Sequence, residues 1–247
     1  MTSTGSFAFL YAGEPFVFFS PPHWTALGVL ISAYLLLWYF RDWFKDPVRD
    51  KWARWTIGSV LLLQEFSLSV WRMYYGEWTL GNGLPLHLCG MGIVLGAVWM
   101  FKRNYLLYEL VYFWGLGGAI QALLTPNIGV YGYPHYRYFQ FFVSHGVLIF
   151  ASLYMTFVSG MRPTHKSIWK VFGLTNVYLV IIAGFNWLTN GNYLFICYKP
   201  PTGSIMDAMG PWPWYILALE VVAVISFYIY YLPFAFRDLV VWVKNRQ

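Results

Sequence analysis

Long apolar stretches recur along the chain, each ended by a cluster of charged residues, Gly, Pro or Asn. A helix needs roughly 20 apolar residues to cross about 30 Å of hydrocarbon. Seven segments come within a few residues of that: 22–40, 52–74, 84–101, 105–124, 138–160, 168–188 and 212–236. The breaks carry turn chemistry and charge, as at Asp46-Pro47, Gly81-Asn82-Gly83, Lys102-Arg103-Asn104 and Met161-Arg162-Pro163. Alternating strands of about ten residues are absent, so the pattern predicts helices and not a β-barrel. No internal repeat is strong enough to divide the chain.

Composition narrows the class. Hydrophobic residues make up 59% of the 247 and charged residues 11%, against about 45–50% and 25% for a soluble domain. A soluble globular enzyme and a disordered chain are both excluded. The formal charge of +6 does not point to nucleic acid, because the basic residues sit in short runs between apolar segments. Thirteen of the 16 Lys and Arg fall on one side of a seven-span topology, and Arg72, Arg137 and Lys199 on the other. The richer side is expected in the cytoplasm. The expected fold is therefore an all-α, polytopic membrane bundle of seven transmembrane helices, with the N-terminus outside and the C-terminus cytoplasmic. Residues 1–247 read as one integral membrane domain: an extracytoplasmic segment over 1–21, the bundle over 22–236 and a cytoplasmic tail over 237–247. The first 21 residues hold no Lys or Arg, so they lack the charged start of a signal peptide and the first apolar segment is expected to be kept. The connection 189–211 is longer than most and contains Tyr193, Leu194, Phe195, Ile196 and Tyr198. It is expected to fold back as an outer loop or cap.

With this topology, polar residues inside the spans collect in the outer half. Glu65, His87 with Cys89, Gln121, His145, Asn186 and Glu220 come from six of the seven helices. The inner half holds chiefly Glu109, Thr175 and Asn176. Ionisable groups in hydrocarbon normally face the bundle interior and mark function. Interhelical hydrogen bonding alone is the plainer alternative, worth about 0.6 kcal/mol per bond. Glu65, Ser69 and Arg72 form a stripe on helix 2: either Arg72 snorkels and neutralises Glu65, or Glu65 orients a histidine while Arg72 meets a lipid phosphate.

His87 and Cys89 are expected about one turn into helix 3, with Pro85 in its first turn. Two residues apart, they lie about 200° around a regular helix and cannot both face one pocket. Cys89 shares a face with Gly92 and Gly96, a small-residue seam in which a cysteine commonly serves as a small apolar residue. His145 sits among apolar neighbours, where a neutral imidazole able to accept a proton is expected. His23 and His135 are interfacial, and His165 is cytoplasmic. Cys89 and Cys197 fall on the same side, where a disulfide is conceivable. The spacing of His87, His145 and Glu65 does not support a metal site, and no glycine-rich phosphate loop or G-x-S-x-G elbow is present. No cofactor is expected.

Several ordered motifs resemble the YwaF-type bacterial integral membrane proteins. They are Leu84-Pro85-Leu86-His87-Leu88-Cys89, Tyr112-Phe113-Trp114-Gly115, Gly118 to Pro126, Phe141-Phe142-Val143-Ser144-His145, Asn192-Tyr193 with Lys199-Pro200, and Gly210 to Tyr215. The resemblance runs from about residue 60 to 235. That family is grouped with the eukaryotic transmembrane-protein-164 acyltransferases, which are thought to move acyl chains between phospholipids with a cysteine and a histidine. His145 matches the helix-5 histidine. The eukaryotic cysteine directly precedes the helix-3 histidine, where this chain has Leu86, and Cys89 follows His87 instead.

The resemblance implies a membrane-embedded lipid acyltransferase or lipid hydrolase acting on membrane phospholipid in a bacterial cytoplasmic membrane; the topology and the outer polar layer put the expected site at the outer leaflet. The candidate catalytic residues are His145, His87 and Cys89, supported by Glu65, Gln121, Asn186 and Glu220. Arg72, Arg137, Tyr193 and Lys199 are candidates for binding the substrate. The alternative is a small-solute transporter or substrate-binding membrane subunit, against which no interrupted helices appear in matching halves.

Overall fold

The computed structural model describes residues 14–200 and 205–244. These residues hold seven α-helices and no strand: α1 (Pro21–Tyr39), α2 (Pro47–Tyr74), α3 (Leu88–Phe101), α4 (Tyr105–Leu124), α5 (Tyr136–Phe157), α6 (His165–Thr189) and α7 (Trp214–Lys244). Short 3-10 turns lie at Trp43–Lys45, Tyr193–Phe195 and Ile205–Met209.

Local chemistry explains most boundaries. Asp46 accepts from the Arg49 amide, with Pro47 in the first turn of α2. Asn104 accepts from the Leu107 amide to start α4. Thr164 and Ser167 form a reciprocal capping box at α6. That helix ends at Asn190 in the left-handed region, φ 51°.

Helix α3 departs from expectation. It begins at Leu88 and not at residue 84, leaving His87 as the extended N-cap (φ −69°, ψ 154°) and Pro85 outside the helix. The cause lies at Gly90, where a Cβ would stand 2.9 Å from the Pro85 Cα. The apolar segment 84–87 crosses that bare backbone and cannot continue the helix. Fourteen residues at 1.5 Å each make α3 about 21 Å long.

Among the described residues four helices are long and apolar enough to cross a membrane by length and composition: α4, α5, α6 and the stretch Trp214–Val240 of α7. Helix α3 is apolar but shorter, and α2 carries Arg49, Asp50, Lys51 and Arg54 in its first two turns.

Helices α2 to α5 pack against one another. Their core includes Trp99, Tyr108, Phe113, Leu148, Tyr154 and Met155, all fully buried. Gly92 and Gly96 of α3 lie against Leu148 of α5, with Leu61 and Val111 also touching the position of Gly96. The small-residue seam expected on α3 therefore brings four helices close. Helices α6 and α7 expose apolar faces, with Val180 at 70% and Val221 at 60%. Such faces in a chain this apolar suit a lipid surface.

Contacts between the connecting segments sort the helix ends. At one end His23 Nε2 bonds the Leu123 carbonyl (2.8 Å) and the Tyr138 hydroxyl donates to Pro22 (2.6 Å). The other end gathers the basic residues. Buried Glu109 of α4 accepts from Ser167 (2.5 Å) and Lys170 (2.6 Å) of α6, and Arg162 pairs with Asp238.

Candidate functional site

The expected polar layer resolves into separate groups at the end opposite the basic one. His87 caps α3 beneath the 190–200 segment. Its Nδ1 accepts from the Leu194 amide (3.3 Å), and its ring lies against Tyr193 (5.4 Å) and Phe195 (5.1 Å) between centroids. Its place as a cap corrects the expected depth of one turn inside helix 3.

Tyr193 is fully buried and fixes the segment above His87. Asn186 of α6 donates to the Tyr193 carbonyl and accepts from its amide, both at 2.9 Å. The Tyr193 hydroxyl accepts from the Leu84 amide and donates to the Leu80 carbonyl, again at 2.9 Å. Tyr215 donates to the Phe195 carbonyl (2.6 Å), and Lys199 lies over the Tyr215 ring at 5.6 Å. Asn186, Tyr193 and Lys199 thus meet backbone and aromatic groups of this chain.

A second group joins α2 and α5. Gln140 donates to Gln64 (2.8 Å) and accepts from Arg137, while Ser67 and Tyr136 share a 2.6 Å hydrogen bond. Arg137 also lies over the Trp71 ring at 5.7 Å. Glu65 is half-buried beside Gln64, with the charges of Arg72 and Arg137 acting on it. Arg72 donates to the Asn82 carbonyl (3.0 Å). The glutamine pair was missed from the sequence; its visible signal was Gln64 beside Glu65 and Gln140 three residues from Arg137.

His145 lies on α5 two turns below Arg137. Its Nδ1 is 2.9 Å from the Phe141 carbonyl and 3.1 Å from Ser144 Oγ. A carbonyl can only accept, so Nδ1 carries a proton, and in the neutral ring Nε2 then keeps a lone pair. Among the described residues no hydrogen bond engages Nε2, and none joins His145 to His87, Cys89 or Glu65.

Cys89 faces α4. A Cβ added to Gly118 would fall 2.4 Å from its Sγ, so the thiol fills the notch that glycine leaves. Cys89 and Cys197 are separate thiols. Glu220 of α7 accepts from Asn176 of α6 (3.0 Å), and Gln121 is exposed at the end of α4. No three His, Cys, Asp or Glu among the described residues gather closely enough to hold a metal. Clefts at the helix ends include one lined in part by Asp50 and Arg103 and another by Phe16 and Tyr138. Neither is lined by His87, Cys89 or His145.

Two of the remaining histidines hold helices in place. His23 ties α1 to α4, and His135 caps α5 by accepting from the Arg137 amide (3.0 Å).

Apolar helices of this length, with polar groups held between them, define a polytopic helical membrane protein. A model of the TMEM164 family matches residues 18–231, and the chain belongs to that family. An uncharacterized protein of Treponema pallidum (strain Nichols) is 26% identical over 160 residues, covering 62% of this chain and 63% of the relative. This chain therefore spans less than two thirds of that relative's length. No solved structure matches.

Proposed function

We propose that this protein is a membrane-embedded enzyme acting on phospholipid acyl esters, with His145 as general base. The carrying observation is the bond from His145 Nδ1 to the Phe141 carbonyl, which leaves Nε2 as an unengaged acceptor. Membership of the TMEM164 family, together with the sequence resemblance that implies acyl transfer, supports the reaction class.

In this reading Nε2 takes a proton from water or an acceptor hydroxyl. The activated oxygen attacks the ester carbonyl, the ester C–O bond breaks, and the departing alkoxide regains the proton from His145. Free fatty acid is the product with water, and a new ester with a lipid hydroxyl. Arg137 and Arg72 stand above His145 as the cations available to a headgroup phosphate. His87 and the 190–200 segment cover the neighbouring end of α3. A thiol nucleophile is commonly activated by a base within hydrogen-bond reach; among the described residues no hydrogen bond joins Cys89 to a histidine, and its thiol packs on Gly118, which favours direct activation of the oxygen.

The excess of basic residues at the opposite end supports an orientation with that end in the cytoplasm of a bacterial cell and the histidines toward the outer leaflet. The test is phospholipid turnover by purified wild type, His145→Ala and Cys89→Ala. Turnover lost in folded His145→Ala and kept in Cys89→Ala is expected. Full turnover in folded His145→Ala would refute the assignment. A hydroxylamine-sensitive acyl adduct on wild type, absent from Cys89→Ala, would move the chemistry to the thiol.

A further inference from the structure

The basic end of the bundle holds a cleft of about 680 Å³ that the proposed acyl chemistry does not use. Four cations line it: Lys45 from the turn after α1, Lys51 and Arg54 from the start of α2, and Arg103 from the loop after α3. One carboxylate, Asp50, stands among them. It is 8% exposed and accepts from Arg54 (3.0 Å), Arg103 (2.5 Å) and the Tyr154 hydroxyl (3.1 Å). Arg54 also donates to the Met100 carbonyl (2.6 Å), so its guanidinium is held from two sides, while Asp50 positions Arg103.

The cluster is unbalanced. Lys45 has a partner in Asp42 at 2.6 Å, but Lys51 meets only the Trp55 ring, at 5.5 Å, and no carboxylate among the described residues. The Ser159 hydroxyl lines the same cleft, buried and without a hydrogen-bond partner. An excess of cations, positioned guanidinium groups and an unsatisfied hydroxyl together call for an anion with several acceptor oxygens.

We propose that this cleft binds a phosphate-bearing anion, with Arg103, Lys51 and Ser159 Oγ meeting the phosphate oxygens and Asp50 holding the arginines. Guanidinium groups suit phosphate because they present paired donors to paired oxygens. The cleft lies where α2 begins and α3 and α5 end, the depth at which basic pockets between membrane helices meet anionic headgroups. Lipid phosphate and free phosphate are the two sources of this chemistry.

The test uses the full chain in detergent, with bound species read by native mass spectrometry. The probes are phosphatidylglycerol, phosphatidylcholine and inorganic phosphate. Preference for phosphatidylglycerol over phosphatidylcholine is expected, with affinity falling about five-fold for each cation removed. Lys51→Gln and Arg103→Gln together should therefore weaken it about 25-fold. Displacement of phosphatidylglycerol by millimolar inorganic phosphate assigns the site to free phosphate, and resistance to displacement assigns it to lipid. Ser159→Ala touches no internal hydrogen bond and should itself weaken binding several-fold, which keeps the test open if the double variant does not fold. Equal retention of both lipids with no binding of inorganic phosphate, or binding unchanged in the folded double variant and in Ser159→Ala, overturns the proposal.

Discussion

Replacing Gly118 by Ala tests what the Cys89 thiol is for. The new methyl group would stand 2.4 Å from Sγ, well inside the roughly 3.5–4.0 Å separation of non-bonded heavy atoms. Either α3 and α4 move apart or the thiol rotates to the other staggered position a helix allows. Overpacking of this kind costs about 1–3 kcal/mol. Removing the thiol should abolish the clash. In a Cys89→Ala background, Gly118→Ala should be neutral or stabilising, because Ala is the better helix former by up to about 1 kcal/mol. The coupling in the double-mutant cycle should therefore be at least 1 kcal/mol and of opposite sign to the single Gly118 effect. The assay is thermal unfolding in detergent, followed by intrinsic tryptophan fluorescence so that no thiol-reactive dye is needed. Equal effects of Gly118→Ala with and without the thiol would refute the packing role.

Other parts of the molecule give further expectations. Asn186→Leu removes two hydrogen bonds that hold Tyr193 and should expose the 190–200 segment to faster hydrogen exchange and proteolysis, with no change at the basic end. Asp50→Ala strips three donors of their shared acceptor and should destabilise the bundle by about 3–5 kcal/mol, read as a fall in Tm. Lys45 hydrogen-bonds the exposed Asp42 carboxyl and holds it below its ordinary value. That pair contributes above the unfolded carboxyl value near 3.8 and is lost as pH falls through the lower folded value. Lys45→Ala should shift the Asp42 carboxyl back up in an NMR titration while changing Tm little.

The apolar runs and their breaks were enough to place seven helices among the described residues, of which four are long and apolar enough to span a membrane, because that signal is carried locally in length and composition. Helix α3 shows the limit. Leu84, Leu86 and Leu88 read as one apolar run, but whether the helix starts before or after Pro85 depends on the extended chain lying across Gly90. The depth of His145 on α5 was legible from counting residues, and so was the seam at Gly92 and Gly96. The grouping of the polar residues was not. Asn186 meets Tyr193, Glu220 meets Asn176, and Gln121 is exposed, because helix rotation and loop folding are set by non-local packing. The Asp50 cluster was also missed. Its residues were counted only as topology charges, although Asp50 and Arg54 stand four apart on α2, where such pairs form.

The most direct measurement of the proposed chemistry is turnover of a defined phospholipid by purified wild type, His145→Gln and Cys89→Ala, with folding of each checked by thermal unfolding. Turnover present in wild type and Cys89→Ala and lost in folded His145→Gln is the expected result. Turnover kept in folded His145→Gln and lost in Cys89→Ala would contradict it.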